Sequence, residues 1–211
     1  MNVGFYLVQG PDPTGYVLAD LMLQSVRRAM PGVRVTQFTD IKSAAVYGVD
    51  HVLRKPKQPL ALLRTLHQAC VEGDWLFIDT DVIVRRDVRH LFEQPFDIAV
   101  ADRQWQHLET PPKFTAAMPW NIGVVFSRGP RFWRAVHTQL LSSPAQAQDF
   151  MGDQVAACHL LKTGDWRLLE LPGMAFNYPP SGPDDHGDQA SIVHYKGDRK
   201  GWMLQELRRC A

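Results

Sequence analysis

Cysteine is scarce in this 211-residue chain: Cys70, Cys158 and Cys210 stand far apart and odd in number. That excludes a disulfide framework and a paired-cysteine zinc site, and fits thiols in a reducing cytoplasm. No apolar run approaches the length that crosses a bilayer, and the first residues lack the basic start and apolar stretch of a secretory signal. Excess charge is missing too. With 23 basic and 22 acidic residues the net charge is +1, which gives no bulk attraction for nucleic acid. Neither the Gly-x-Gly-x-x-Gly fingerprint of dinucleotide folds nor a phosphate-loop glycine and lysine set occurs. The 45% hydrophobic content describes an ordinary globular chain, long enough for one domain with a substantial core.

What is present is an alternation of short apolar runs and helical patterns. Val3 to Val8 reads as a buried strand, followed by a Gly/Pro-rich turn at 10–15. Apolar residues at helical spacing over 16–30 stop at Pro31-Gly32, and Val33 to Phe38 alternates as a second strand. Pro59 opens a helix over 60–70. Further strands are expected at 98–101, 124–126, 167–169 and 192–194, with helices at 131–141 and 153–161. Residues 102–119 and 179–190 read as long loops; His186 with its neighbouring aspartates belongs to the second as ordinary loop polarity. This order implies an α/β fold with a mainly parallel, Rossmann-like sheet flanked by helices on both faces.

The run Trp75-Leu76-Phe77-Ile78 ends in Asp79-Thr80-Asp81 and resumes as Val82-Ile83-Val84. About one Asp-x-Asp arises by chance in a chain of this composition, so position carries the weight. A carboxylate pair interrupting an apolar strand is costly without a partner. The carboxyl edge of an α/β sheet is where open sheets bind ligands. His194 closes another predicted strand. Two carboxylates and an imidazole suit Mn²⁺ or Mg²⁺, with positions left for phosphate oxygens. Lys200 would add fixed positive charge to those phosphates.

Four stations in order resemble glycosyltransferase family eight, a GT-A family that includes glycogenin and bacterial lipopolysaccharide galactosyltransferases. They are the strand with Asp79-Thr80-Asp81, Trp120-Asn121-Ile122-Gly123-Val124-Val125, Gly152-Asp153-Gln154, and His194-x-x-Gly197-x-x-Lys200-x-Trp202. Together they span about residues 60 to 202. Three departures stand out: Gly201 replaces the proline that follows the lysine, the chain is short for the family, and the Gln9-Gly10-Pro11 turn does not match the family's nucleobase region residue by residue.

The resemblance implies one GT-A domain over 1–211, with a nucleotide-binding half at about 1–101 and an acceptor and metal-closing half at about 102–211. It implies transfer of a hexose from a nucleotide diphosphate sugar, UDP-linked, to a hydroxyl acceptor with retention. Asp79, Asp81 and His194 would bind the metal, with Asp153 and Gln154 beneath the reacting sugar as catalytic residues. Arg64, Thr80, Asp102, Asn121, Gly123, Gly197 and Lys200 would join Asp79 and Asp81 in holding the donor. Trp105, His107 and Trp120 offer aromatic faces to an acceptor sugar. The competing readings are a non-catalytic nucleotide-sugar binding relic and a haloacid dehalogenase-type phosphatase. The phosphatase motif normally opens its chain, whereas here the aspartate pair arrives at residue 79.

Overall fold

The computed structural model describes residues 1–10, 12–103 and 116–205. Along the chain run the strands β1 (Asn2–Tyr6), β2 (Arg34–Asp40), β3 (His51–Lys55), β4 (Asp74–Ile78), β5 (Val82–Val84), β6 (Ile98–Asp102), β7 (Trp120–Arg128) and β8 (Leu168–Leu171). Seven of them form one sheet in the order β3-β2-β1-β4-β7-β6-β8. β1, β2, β3 and β4 are mutually parallel, as are β6 and β8. β7 alone runs against its neighbours β4 and β6. The sheet is therefore mainly parallel, as the alternating pattern predicts, with one antiparallel strand wedged into its middle.

The helices that cover it are α1 (Thr14–Ala29), α2 (Leu60–Gln68), α3 (Arg131–Leu141) and α4 (Gly152–Thr163). One face packs against α1, whose Leu18, Leu21, Met22 and Val26 join Val3, Phe5 and Leu76 in a single core. The other face packs against α2, α3 and α4 around an aromatic cluster of Phe38, Trp75, Phe77, Phe132 and Trp133. Trp75 and Phe77, two apart on one strand face, stack at 5.6 Å between centroids, and Trp133 meets Phe77 edge-on at 5.8 Å. Large rings fill the space between the sheet and these helices.

The run from 75 to 84 is not one interrupted strand. β4 belongs to the main sheet, whereas β5 pairs antiparallel with β9 (Ile192–His194) in a separate two-stranded sheet. The aspartates thus form the corner where the chain leaves one sheet for another. Three further expectations shift. β3 went unread because it is an edge strand of largely exposed, basic character. β7 is nine residues long rather than three, since Asn121 and Gly123 mask its apolar pattern. α1 begins two residues earlier than its periodicity suggests.

Most of the expected loop at 102–119, with Trp105 and His107, lies outside the described residues, as does Cys210; Cys70 and Cys158 are free. Among the described residues no helix is long and apolar enough to cross a membrane. The 179–190 loop is stapled from within. Asp185 Oδ2 accepts from Tyr178 Oη (2.7 Å), Ser181 N (2.8 Å) and Ser181 Oγ (2.7 Å). Its neighbour His186 gathers with no metal-ligand set among the described residues.

Candidate functional site

Three strand ends converge on one point. Asp79 follows β4, and its N–H donates to Gly123 O of β7 at 2.8 Å. In the small sheet Val82 lies opposite His194, so Asp81 flanks the imidazole, and Tyr195 N–H donates to Asp81 O at 2.8 Å. Asp79, Asp81 and His194 each offer a ligand atom, and these atoms lie within 4.8 Å of one another. His194 Nε2 is 3.0 Å from Asp81 Oδ1 and 3.7 Å from Asp79 Oδ2.

On the far side of the ring, His194 Nδ1 donates to Asn177 Oδ1 at 2.7 Å. Asn177 is fully buried at the end of α5 (Gly173–Phe176). That bond fixes the ring with Nε2 turned toward the two carboxylates, the orientation a ligating imidazole takes when its other nitrogen is held by an outer partner. Two hard oxygens and one imidazole nitrogen suit a divalent cation of the Mn²⁺ or Mg²⁺ kind.

The space for this constellation comes from Gly123. A Cβ there would stand 2.4 Å from His194 Cε1, 2.5 Å from Asp79 Oδ2 and 2.9 Å from Asn121 Oδ1. Asn121 meets the need of a polar group inside an apolar strand by accepting from Gly123 N–H at 2.9 Å. Burial pushes the Asp81 carboxyl up, but His194 and Lys200 outweigh it and hold the group at about 2. Lys200 Nζ is 3.5 Å from Asp81 Oδ2, from the first turn of α6 (Lys200–Met203). Gly197, at φ +62°, makes the turn that brings that short helix round.

Arg64 bridges Asp79 to α4. Its Nη2 donates to Asp79 Oδ1 at 2.9 Å and its Nε lies 3.2 Å from Asp153 Oδ2. Burial works against its charge, yet Asp153 and Asp79 overcome it and raise its pKa. Asp153 enters α4 through a tight corner. Met151 takes φ +66°, and a Cβ on Gly152 would meet Ala147 O at 1.8 Å, so only glycine fits there.

Gln154 uses both ends of its amide as a clamp. Its Oε1 accepts from Ile122 N–H (2.9 Å) and Arg103 Nη2 (3.1 Å), and its Nε2 donates to Trp120 O at 2.9 Å. Arg103, 5% exposed, also donates from Nε to Trp120 O at 3.0 Å.

These residues wall a cleft of about 250 Å³. Arg64, Asp79, Asn121, Gly123, Asp153, Gln154 and His194 line it, with Arg103, Lys196, Phe150 and Met151 beside them. Seven expected site residues therefore meet around one cavity; Asp81 adjoins it through His194, and Lys200 through Asp81. Thr80 lies between the paired aspartates, partly exposed. Asp102, the last residue of β6, is not in the cleft wall; its Oδ1 accepts from Gly173 N–H at 3.2 Å. Trp120 donates from its indole to the Glu170 carboxylate and packs against the aromatic core.

A second groove, of about 460 Å³, opens over the end of β1 and the start of α2. Tyr6, Val8, Lys57, Leu63 and Asp149 line it, and Leu60 is common to both cavities.

Sequence reasoning missed Asn177, Arg103, Lys196 and Phe150. Asn177 carries no local signal, because only the fold puts it behind His194. Lys196 sits inside the terminal motif at a position the family pattern leaves open. Burial, and then Arg103, pull its ammonium down to about 7 against the attraction of Asp79 and Asp81. Phe150 is 78% exposed and lines the cleft.

No protein-family model and no curated protein matches the sequence. Solved structures do match. The glycosyltransferase GlyE of Streptococcus pneumoniae TIGR4 superposes with a TM-score of 0.63 at 16% identity, over 98% of this chain and 60% of that one. The galactosyltransferase LgtC, in complex with donor and acceptor sugar analogues, gives 0.64 at 12% identity, over 99% and 94%. A glycosyltransferase involved in glycosylation of the major capsid of PBCV-1 gives 0.58 at 15% identity, over 97% and 100%. This chain thus spans about three fifths of GlyE and nearly all of the other two. With its one antiparallel strand set in a parallel sheet and an Asp-x-Asp corner at the sheet edge, the chain has the GT-A glycosyltransferase fold.

Proposed function

We propose that the chain is a metal-dependent glycosyltransferase that moves a hexose from a UDP-sugar to a hydroxyl acceptor with retention of configuration. The observation that carries this is the meeting of Asp79, Asp81 and His194 within 4.8 Å at the edge of a GT-A sheet, with Lys200 beside them. Asp79, Asp81 and His194 would hold Mn²⁺ or Mg²⁺, and the room left by Gly123 fits that donor set. When bound, the cation supplies the Lewis acidity that stabilises a departing diphosphate.

Lys200 faces the same phosphates, adding a fixed charge that counts most as the glycosidic bond breaks. In this reading the 460 Å³ groove takes the nucleoside and the 250 Å³ cleft takes the transferred sugar, joined at Leu60. Residues 1–101 then serve the nucleotide, and residues 102–211 serve the acceptor and close the metal site. Asn121, Gly123, Asp153 and Gln154 form the sugar side. Phe150 offers its exposed ring to the acceptor.

Retention requires either a carboxylate nucleophile or attack on the same face as the leaving phosphate. Asp153 is already committed to Arg64 at 3.2 Å, which blunts it as a nucleophile and favours same-face attack.

A thermal-shift panel of nucleotides and nucleotide sugars, each with Mn²⁺ and again with EDTA, tests the proposal. UDP and its sugars should raise Tm only with the metal, since saturation of a tight site adds several kcal/mol. No shift with any of them would leave the GT-A fold standing and remove the donor site.

A further inference from the structure

Arg64 borders a third and much smaller space as well as the cleft, a cavity of about 10 Å³. Gly4 and Tyr6 of β1 line it, with Phe38 of β2 and Phe77 of β4 from the neighbouring strands. From α2 come Arg64 and Gln68, one helical turn apart and so on one face of the helix.

Two polar atoms of this lining are shut off from solvent, Tyr6 Oη and Gln68 Oε1, and no described residue hydrogen bonds to either. Gln68 as a whole is only 6% exposed. A phenol both donates and accepts, whereas an amide oxygen only accepts. Inside a protein each of these groups is costly to leave unmade. Apart from Arg64, the other side chains of the lining are apolar and have nothing to offer them.

A space of this size takes one water, and a buried water makes about three hydrogen bonds to groups that otherwise lack them. We propose that a single ordered water occupies this cavity, accepting from Tyr6 Oη–H and from the Arg64 guanidinium and donating to Gln68 Oε1. The water is a third anchor on the guanidinium that Asp79 and Asp153 already grip. Tyr6 also lines the 460 Å³ groove, so the water ties the wall of that groove to the wall of the cleft through Arg64. Tyr6 and Gln68 are in this respect positioning residues for Arg64, and the site is independent of the transferase reading.

A high-resolution crystal structure of the unaltered chain tests the site directly. It should show density for one water within hydrogen-bonding distance of Tyr6 Oη, Gln68 Oε1 and Arg64. A direct Tyr6–Gln68 hydrogen bond in its place, or a cavity without water density, overturns the proposal. The hold on Arg64 is read by NMR, as the exchange of Arg64 Nε–H with solvent. Gln68→Met keeps the bulk and removes the acceptor, so that exchange should speed about tenfold while the backbone amides of α2 stay protected. Tyr6→Phe should act alike, and the two substitutions together no more than the stronger of them, because either one spoils the same water site. Additive effects, unchanged Arg64 exchange, or loss of α2 protection in step with it would each overturn the anchoring role. The crystallographic arm uses the unaltered chain and decides the water site even if a variant fails to fold.

Discussion

His194 Nε2 lies 3.0 Å from Asp81 Oδ1, although 113 residues separate the two in sequence. The pairing of β5 with β9 brings them together: with Val82 opposite His194, Asp81 at the head of β5 stands beside the imidazole. A two-stranded sheet of three residues a side thus fixes a charge constellation that neither segment holds alone.

The same imidazole depends on Asn177 behind it. Asn177→Ala should weaken Mn²⁺ binding about 10- to 100-fold, the usual cost of losing the partner that orients a ligating histidine. Asn177→Asp keeps an acceptor for Nδ1–H and should restore affinity to within a few-fold. Calorimetric Mn²⁺ titration of both variants checks this. Equal affinity in the alanine variant and the unaltered chain would show that Asn177 does not orient the ring.

Gly123→Ala places a methyl group 2.4 Å from His194 Cε1 and 2.5 Å from Asp79 Oδ2. Overpacking of this kind costs about 1–3 kcal/mol. In a chain of this size Tm should fall by several degrees, with metal-dependent nucleotide binding weakened at least tenfold. A thermal melt alongside a UDP titration separates the two effects. Unchanged binding with a lowered Tm would place the crowding outside the metal site.

His67, 1% exposed, donates from Nε2 to Thr39 O at 3.0 Å, and burial, helped by Lys55, holds it at about 4 against its ordinary 6.5. The unfolded chain therefore takes up a proton that the folded chain refuses. Stability from this group is complete above about pH 6.5 and is lost as pH falls toward 4, by about 3 kcal/mol in all. Asp81 acts in a lower window, below its ordinary value of 3.8 and down toward 2. Urea melts between pH 7 and 4.5 should show a decline in the unaltered chain that flattens in His67→Gln, whose amide can still donate to Thr39 O. Parallel slopes would contradict the assignment.

Much of the Asp79–Asp81 corner was legible because its signal is local. Trp75 to Ile78 read as a buried strand, and two carboxylates at its end needed a reason. Residues 131–141 and 192–194 were likewise readable, since Phe132, Trp133 and Val136 repeat at helical spacing and Ile192 and Val193 form a short apolar run. The rest depended on pairing. β3 shows no alternation to read because it lies at the sheet edge, and Asn121 and Gly123 broke up the pattern of β7 where they serve the site. Asn177 and Arg103 acquire roles only through partners 17 and 51 residues away, distances no periodicity reports. Gln154, read as a residue beneath the sugar, ties α4 to β7 through both ends of its amide.

The central claim is that Asp81, with Asp79 and His194, holds a divalent cation on which donor binding depends. Asp81→Asn preserves shape and removes the charge. Calorimetry with Mn²⁺ and UDP on this variant should show UDP binding that no longer responds to metal and is at least a hundredfold weaker than in the unaltered chain. Unchanged Mn²⁺ and UDP affinities would contradict the metal site and the transferase reading built on it.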